Sequence, residues 1–293
     1  MINKCPVCES RIERIDFVRQ EYSYKKCREC GTLFVASELS TKDIYEHYSS
    51  NYYEAQGTDS KQREGYDSYF SLQDSLNISF ENKLKLISRR IGAGRLLDMG
   101  TAYGSFLKKA SCQYECVGVE ISRYAAKTAR TINQAQMVVS NLEETPFKDS
   151  HFDVITMWDV IEHLRYPVIA LREVNRLLRA GGFCFISTDD VNNWLVKLMG
   201  RKWWSIAPPL HLSHFSKKSI KMAVERAGGF EICEIIKDQR MYKLNEIVRH
   251  FGTSYRNNFL SSLGLLIEDS PIGQVSVSIK RPEQFILILR KNS

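Results

Sequence analysis

Residues 96–107 read Leu-Leu-Asp-Met-Gly-Thr-Ala-Tyr-Gly-Ser-Phe-Leu, and this stretch decides the fold. Leu96 and Leu97 continue the apolar run of a buried parallel strand, and Asp98 stands near its end. Gly100, Ala102 and Gly104 then leave the backbone almost bare where a helix begins. A strand, turn and helix of this kind present backbone N–H groups at a helix start and suit a nucleotide-like ligand. The glycine spacing narrows the choice of ligand. A dinucleotide fingerprint wants G-x-G-x-x-G, which would fall here on Gly100, Ala102 and Ser105, a poor match.

Working outward, Cys116-Val-Gly-Val-Glu120 is a second short β run ending in an acid. It lies about twenty residues beyond Asp98, where a ribose-binding carboxylate is expected. Residues 137–144 end a third strand, and Phe152 to Asp159 spans a fourth. Val168 to Leu178 has helical periodicity, with Val168, Leu171, Val174, Leu177 and Leu178 on one face. Ala180-Gly181-Gly182 stops that helix before a fifth strand, Phe183 to Ser187. Alternating strands and helices with short connections predict a parallel sheet covered on both faces. Phe230 to Lys237 and Gln284 to Arg290 read as two last strands, and Phe259 to Ile267 as an amphipathic helix between them.

The pattern D-x-G-x-[GA]-x-G at Asp98 to Gly104, the VGVEIS run at 117–122, and the string FDVITMWDVIEHLRYPVIALREVNRLLRAGGFCFIST at 152–188 together resemble the class I S-adenosylmethionine-dependent methyltransferases of the small-molecule and sugar type. The resemblance covers most of residues 92–190. It implies a Rossmann-like α/β fold whose parallel sheet has an antiparallel last strand. It also implies that Asp98, Gly100, Thr101, Ala102 and Gly104 support the methionine end of S-adenosylmethionine and that Glu120 binds its ribose. Ile121 would pack on the adenine, Asn141 and Leu142 would meet its edge, and Trp158 would offer its backbone near the methionine amine. Members often carry Asp where this chain has Asn141, and an amide can make the same edge contact.

At the amino end, Cys5-Pro-Val-Cys8 and Cys27-Arg-Glu-Cys30 make a C-x2-C…C-x2-C pair with zinc-ribbon spacing. Four thiolates so placed can close a tetrahedral zinc site, and the metal then supplies folding free energy that so short a segment lacks. No secretory signal precedes the pair, so a disulfide framework is the weaker reading. Cys112, Cys116, Cys184 and Cys233 read as small core residues. The expected organisation is a ribbon over 1–40, a Tyr-rich helical connector or lid over 41–91, and a methyltransferase domain over 92–293 with an insertion at about 190–216.

The chain has 293 residues, 43% of them hydrophobic, and no apolar run of membrane-spanning length, so a soluble, cytoplasmic protein is expected. The net charge of +7 does not reside in the first sixty residues, the ribbon and the start of the connector, which carry eight Lys/Arg against ten Asp/Glu. A ribbon that tracks phosphates should be basic, which argues against a nucleic-acid partner. Positive charge gathers instead at Lys197, Arg201, Lys202, Lys217, Lys218 and Lys221, flanking the expected substrate side. That placement fits either an acidic small substrate or a merely solvated surface.

Chemistry should lie at the carboxyl ends of the strands, where Asp159-Val-Ile-Glu162-His163 begins. His163 suits removal of the acceptor's proton near neutral pH. Glu162 would orient the substrate or, with His163, help hold a divalent ion, as the resemblance implies for some relatives. In the connector, Tyr66 and Tyr69 are the tyrosines placed best to line the substrate pocket. In the insertion, His211 reads as a substrate contact; pairing it with His214 in a metal site is disfavoured because Pro208 and Pro209 interrupt any helix and no carboxylate is close in sequence. Trp194, Trp203 and Trp204 read as a mobile lid rather than a membrane-surface patch. Ser216 reads as the N-cap of a helix over Lys217 to Ala227, closed by Gly228 and Gly229.

The resulting expectation is methyl transfer from S-adenosylmethionine to an oxygen or carbon of a small, acidic metabolite such as a nucleotide-linked sugar, with a structural zinc. The chain lacks the extra carboxyl-terminal domain of sugar C-methyltransferases, which weakens C-methylation. No N/D-P-P-Y/F follows the fourth strand, which counts against adenine amino methylation. A zinc-ribbon ribosomal-RNA methyltransferase and a non-catalytic metal-ribbon interaction protein stand as alternatives. The oligomeric state is not legible.

Overall fold

In the computed structural model, residues 1–40, 43, 73–248, 258–268 and 270–293 are described. Residues 1–40, where the ribbon is expected, supply strands β1 (Phe17–Arg19), β2 (Tyr22–Lys26) and β3 (Leu33–Val35), paired antiparallel. Their four-stranded sheet is completed from far down the chain by β9 (Ser213–His214), with Leu33 opposite His214 and Phe34 opposite Ser213. Inside the ribbon Lys25 is 1% exposed yet satisfied, its ammonium donating to the Ile2 carbonyl (3.2 Å), Asn3 Oδ1 (2.6 Å) and the Ile12 carbonyl (2.9 Å).

The larger sheet has seven strands. Four of them, β4 (Arg95–Met99), β5 (Glu115–Glu120), β6 (Met137–Val139) and β7 (Phe152–Trp158), are joined in parallel by the fifth, β8 (Leu178–Asp189). Then come β10 (Phe230–Lys243) and β11 (Ser276–Lys291), giving the order β10-β11-β8-β7-β4-β5-β6. Strand β11 runs antiparallel to β8, from Gln284 opposite Asp189 to Arg290 opposite Phe183. The expected parallel sheet with an antiparallel last strand is therefore present. Leu96, Leu97, Val154, Ile155, Ile186 and Leu287 are buried, as strands covered on both faces require.

Six helices are numbered α1 (Gln73–Ser88), α2 (Ser105–Ala110), α3 (Arg123–Asn133), α4 (Pro167–Leu177), α5 (Trp194–Met199) and α6 (Lys217–Ala227). Local signals explain their starts. Proline opens α4, where its missing N–H costs nothing, and Ser122 accepts from the Ala125 N–H to cap α3. At α6 the expected Ser216 cap forms a reciprocal box with Ser219, and Gly228 closes the helix. A further helix covers Asn258–Leu266, within a residue of the expected one.

Three expectations need correction. Strand β8 begins at Leu178 rather than after Gly182, because Gly181 and Gly182 lie within an irregular stretch of the strand. A Cβ on Gly182 would sit 3.0 Å from the carbonyl oxygens of Arg179 and Asp153, so only glycine allows that approach. Cys112 is exposed rather than part of the core, since it sits in the turn after α2; Cys184 is buried as expected. Trp203 is no mobile lid. It is fully buried with Tyr24, Leu33, Val35, Val191, Ile206 and Leu212, whereas Trp194 and Trp204 are 66% and 50% exposed.

The chain divides into two compact units. One contains the ribbon, Ile87–Asp238 and Pro282–Ser293; the other is drawn from the segments preceding Ile87 and from Gln239–Arg281. Ribbon and sheet thus share one unit, and Cys5, Cys27, Cys30 and Phe34 pack in the same core as Phe215, Ile220 and Ala223.

Candidate functional site

Strand β4 leads into a loop in which Gly100, Ala102 and Gly104 have φ of 73°, 49° and 76°. Three left-handed residues in five turn the chain sharply and aim successive N–H groups. Gly100 is required for space as well, since a Cβ there would lie 2.6 Å from Val160 Cγ2. The loop is held from beneath. Gly100 and Thr101 donate to the Val119 carbonyl (2.8 and 3.2 Å), and the Ala102 N–H donates to Glu120 Oε2 (2.9 Å). Glu120 also accepts from the Ser122 N–H through Oε1 (3.0 Å) and is 4% exposed.

Asp98 lies near the end of β4, as expected. Its carboxylate accepts from Thr101 Oγ1 (2.5 Å) and Thr156 Oγ1 (2.6 Å), so it braces the loop against β7. Glu120, Ile121, Asn141, Leu142 and Trp158 follow or end β5, β6 and β7 at the same carboxyl edge as Gly100 to Gly104. Asn141 Oδ1 accepts from the Glu143 N–H (3.2 Å), Leu142 is buried, and the Trp158 ring meets Phe106 edge-on at 5.6 Å. Tyr66 and Tyr69 lie outside the described residues.

On the same edge, a 3-10 turn over Ile161–His163 follows β7. Glu162 is 3% exposed and accepts from Thr188 Oγ1 (3.0 Å). Burial, and then the carboxylates of Asp159 and Asp189, push it well above the ordinary carboxylate range. The insertion returns beside it, the Leu212 N–H donating to the Glu162 carbonyl (2.8 Å). This folds His211 onto His163, ring centroids 4.7 Å apart and edge to face. One ligand atom each from Glu162, His163 and His211 lie within 4.8 Å of one another. His211 thus has a carboxylate neighbour after all, brought by the fold from a distant part of the sequence.

Burial, and then His211, push His163 down to about 3. An imidazole so weakly basic is a poor proton acceptor by itself, so proton removal at His163 would draw on its neighbours. Sequence reasoning missed the supporting shell: Thr188 on Glu162, the Leu210 carbonyl 3.1 Å from His163 Nδ1, and Ser205, whose carbonyl is 2.6 Å from His211 Nδ1. The Ser-Thr-Asp run at 187–189 was the available signal, being polar where a buried strand ends.

The third imidazole, His214, is 1% exposed beside Trp203 and Tyr24, and burial holds it well below its ordinary value. For a buried neutral histidine the unfolded chain takes up the proton first as pH falls. Stability is therefore lost below about pH 6.5, approaching about 1.4 kcal/mol per pH unit for each such group. The melting temperature is expected to fall from pH 7 to 5, and His214→Leu to flatten part of that slope. A wild-type melting temperature constant over this range would contradict the buried neutral imidazoles.

In the ribbon, Cys5 Sγ lies 3.5 Å from Cys30 Sγ and Cys8 Sγ lies 3.4 Å from Cys27 Sγ, with no disulfide among them. Four thiolates on a tetrahedral zinc with bonds of about 2.3 Å stand about 3.8 Å apart, so the residues present fit that ion. Elsewhere, a cleft of about 590 Å³ opens between Arg95, Glu115, His151 and Arg179, at the amino ends of the strands and away from the glycine loop.

A seven-stranded sheet in this order, with a glycine loop after its first parallel strand and an acid ending the next, defines the class I S-adenosylmethionine-dependent methyltransferase fold. Residues 74–235 match the family described as methyltransferase domain, and the chain belongs to that family. It is similar to the uncharacterized protein MJ1123 of Methanocaldococcus jannaschii, 30% identical over 142 residues covering 48% of this chain and 66% of that protein. It is also similar to the sarcosine/dimethylglycine N-methyltransferase of Halorhodospira halochloris, 26% identical over 184 residues covering 58% of this chain and 62% of that protein. These matches span less than two thirds of the length of either relative. Among solved structures, a putative methyltransferase of Bacillus halodurans shares the fold, with a TM-score of 0.53, 18% identity, and coverage of 72% of this chain and 98% of that one. Among the described residues no helix is long and apolar enough to cross a membrane.

Proposed function

We propose that the protein transfers the methyl group of S-adenosylmethionine to an oxygen or carbon of a small, acidic metabolite, with a nucleotide-linked sugar as the first class to test. The observation that carries this reading is the meeting, at one carboxyl edge of the sheet, of the Glu120-braced loop and the Glu162–His163–His211 cluster. S-adenosylmethionine, when bound, supplies a methyl on a positively charged sulfur. Gly100 to Gly104 and Thr101 would hold its methionine end, and Glu120, which keeps further lone pairs on each oxygen, would accept from its ribose hydroxyls. Ile121, Asn141 and Leu142 would bound the adenine, and the Trp158 backbone would meet the amine.

The remaining work is alignment and proton removal, for which orientation is the larger contribution. Glu162, His163 and His211 would orient the acceptor and take up its proton as a group. An acidic acceptor is supported by the excess of Lys26, Lys197 and Arg201 over Asp16 around an otherwise largely apolar cleft of about 260 Å³ between residues 1–40 and the insertion. The ribbon over 1–40 would carry one structural zinc on Cys5, Cys8, Cys27 and Cys30, and the protein would work in the cytoplasm.

Transfer of labelled methyl from S-adenosylmethionine to a panel of nucleotide sugars tests this reading. His163→Ala is expected to lower turnover on the accepted sugar at least a hundredfold while S-adenosylhomocysteine binds as in wild type. Retained turnover in that variant would remove the histidine from the reaction, and no transfer to any acidic sugar would remove the substrate class.

A further inference from the structure

We propose that the outer face of the insertion, where Trp194, Leu198 and Trp204 stand among Lys197, Arg201 and Lys202, docks on an anionic bilayer surface, a role independent of the methyl-transfer reading. From Val191 to Val224 the chain carries six Lys/Arg and no Asp or Glu, whereas the whole protein has 41 of the first kind and 34 of the second. Within that stretch α5 runs straight into a 3-10 turn over Gly200–Lys202. Residues four apart on a helix share a face, so Trp194 and Leu198 stand side by side. They are 66% and 76% exposed, and Trp204 just past the turn is 50% exposed. Val196, on the opposite face of α5, is buried.

The fold holds these apolar groups outward. Asn193 Oδ1 accepts from the Leu195 N–H (2.9 Å) to cap α5, and the Asn193 amide donates to the Pro282 carbonyl (2.6 Å). Past the turn, Trp203 points inward and is fully buried with Val196 and Ile206, which leaves its neighbour Trp204 on the surface. Arg19 clamps the same turn from β1, donating to the Arg201 and Trp203 carbonyls (2.7 and 3.1 Å). The Arg201 guanidinium lies over the Phe17 ring, 5.2 Å from its centre. A face fixed in this way keeps two indoles and a leucine in water, an unfavourable exposure that contact with a partner removes.

The mixture of side chains selects the partner. Lys197, Arg201 and Lys202 are exposed within the same short run as Trp194, Leu198 and Trp204. The core of a protein–protein interface is depleted in lysine, so a second protein chain is a poor occupant. RNA would use the cations and stack on the indoles, yet it has no use for an exposed aliphatic side chain such as Leu198. An anionic bilayer uses all of them. Indoles sit at the level of the headgroups, leucine reaches the acyl boundary, and lysine and arginine lay their stems on apolar surface while their charges meet phosphates. Each cation near such a surface strengthens binding about fivefold.

Flotation of the full chain with vesicles tests the surface, with no S-adenosylmethionine present. Vesicles of equal parts phosphatidylglycerol and phosphatidylcholine are expected to carry the protein up, and added salt to release it; vesicles of phosphatidylcholine alone should leave it behind. Trp194→Ser combined with Leu198→Ser, and separately Lys202→Glu, should each weaken vesicle binding at least tenfold. Lys127→Glu, on α3 between β5 and β6 at the far edge of the sheet, should leave it within about twofold of wild type. Should a variant fail to fold, the wild-type chain alone decides: brominated phosphatidylcholine in the anionic vesicles should quench the emission of its exposed tryptophans. Equal binding to both kinds of vesicle, binding to neither, variants that bind as wild type, or emission untouched by the brominated lipid would overturn the surface. A chain that ignores vesicles while dimerising through Trp194 and Leu198, or binding poly(U) through Lys202, would assign the face to another partner and overturn it equally. Vesicle binding by a chain that does not bind S-adenosylhomocysteine would support the surface and overturn the methyl-transfer reading alone.

Discussion

Glu120→Ala is expected to weaken S-adenosylhomocysteine binding at least tenfold, and more than any other single change at the cofactor edge. The carboxylate has two tasks. It would accept the ribose hydroxyls, and it already accepts from the Ala102 and Ser122 N–H groups, 2.9 and 3.0 Å away. Alanine leaves those two donors without their acceptor near the base of the glycine loop, at about 1–3 kcal/mol for each buried group left unmade. Ala102, at φ 49°, is the loop residue with the most reason to relax once that bond is gone. Glu120→Gln is the informative companion: its amide oxygen can keep one of the two bonds, so its loss should be intermediate. Calorimetric titration of both variants and wild type reads the series, and an alanine variant that binds as tightly as wild type would remove the cofactor assignment.

The second large effect concerns the ribbon. Metal analysis of purified protein is expected to find about one zinc per chain, and Cys30→Ser to lose it. Structural zinc contributes on the order of 10 kcal/mol to small modules, so the ribbon should open when a thiolate is removed. The consequence reaches the candidate site through backbone. Cys30 lies three residues before the start of β3, and β3 pairs with β9, which begins two residues beyond His211. The Val35 N–H also donates to the Leu212 carbonyl (2.9 Å), and Arg165, just past His163, donates to the Val35 and Ser37 carbonyls (3.0 and 3.3 Å). Hydrogen exchange in Cys30→Ser should therefore accelerate over residues 212–215 as well as in the ribbon. Wild-type protein without zinc, or unchanged protection of 212–215 in the variant, would break the proposed link between ribbon and site.

The parts of the molecule legible in the sequence are those with a period or a required residue. Leu96 to Leu107 announces its strand, loop and helix because an apolar run meets residues chosen for backbone freedom. Pro167 and Ser216 mark their helix starts because each satisfies or removes an orphan N–H. That Glu120 ends β5 beside the glycine loop was legible from its register after Asp98. What was not legible depends on contacts between distant segments. A two-residue strand such as Ser213–His214 has no period to read, and its partner lies in the ribbon. The same return of the chain puts His211 against Glu162 and buries Trp203, so sequence distance hid the carboxylate neighbour of His211 and the lid reading fails for Trp203. Asp98 sits at the expected position, but Thr101 and Thr156 supply hydroxyls that engage it from two sides, and no linear motif encodes that geometry.

The most direct test of the central claim is a crystal structure of the protein with S-adenosylhomocysteine. The ligand is expected along the carboxyl edge of β4, β5 and β6, its ribose hydroxyls on Glu120 and its homocysteine end against Gly100 to Gly104, with the sulfur facing Glu162, His163 and His211. A ligand bound elsewhere, or an empty cofactor edge at saturating concentration, would contradict it.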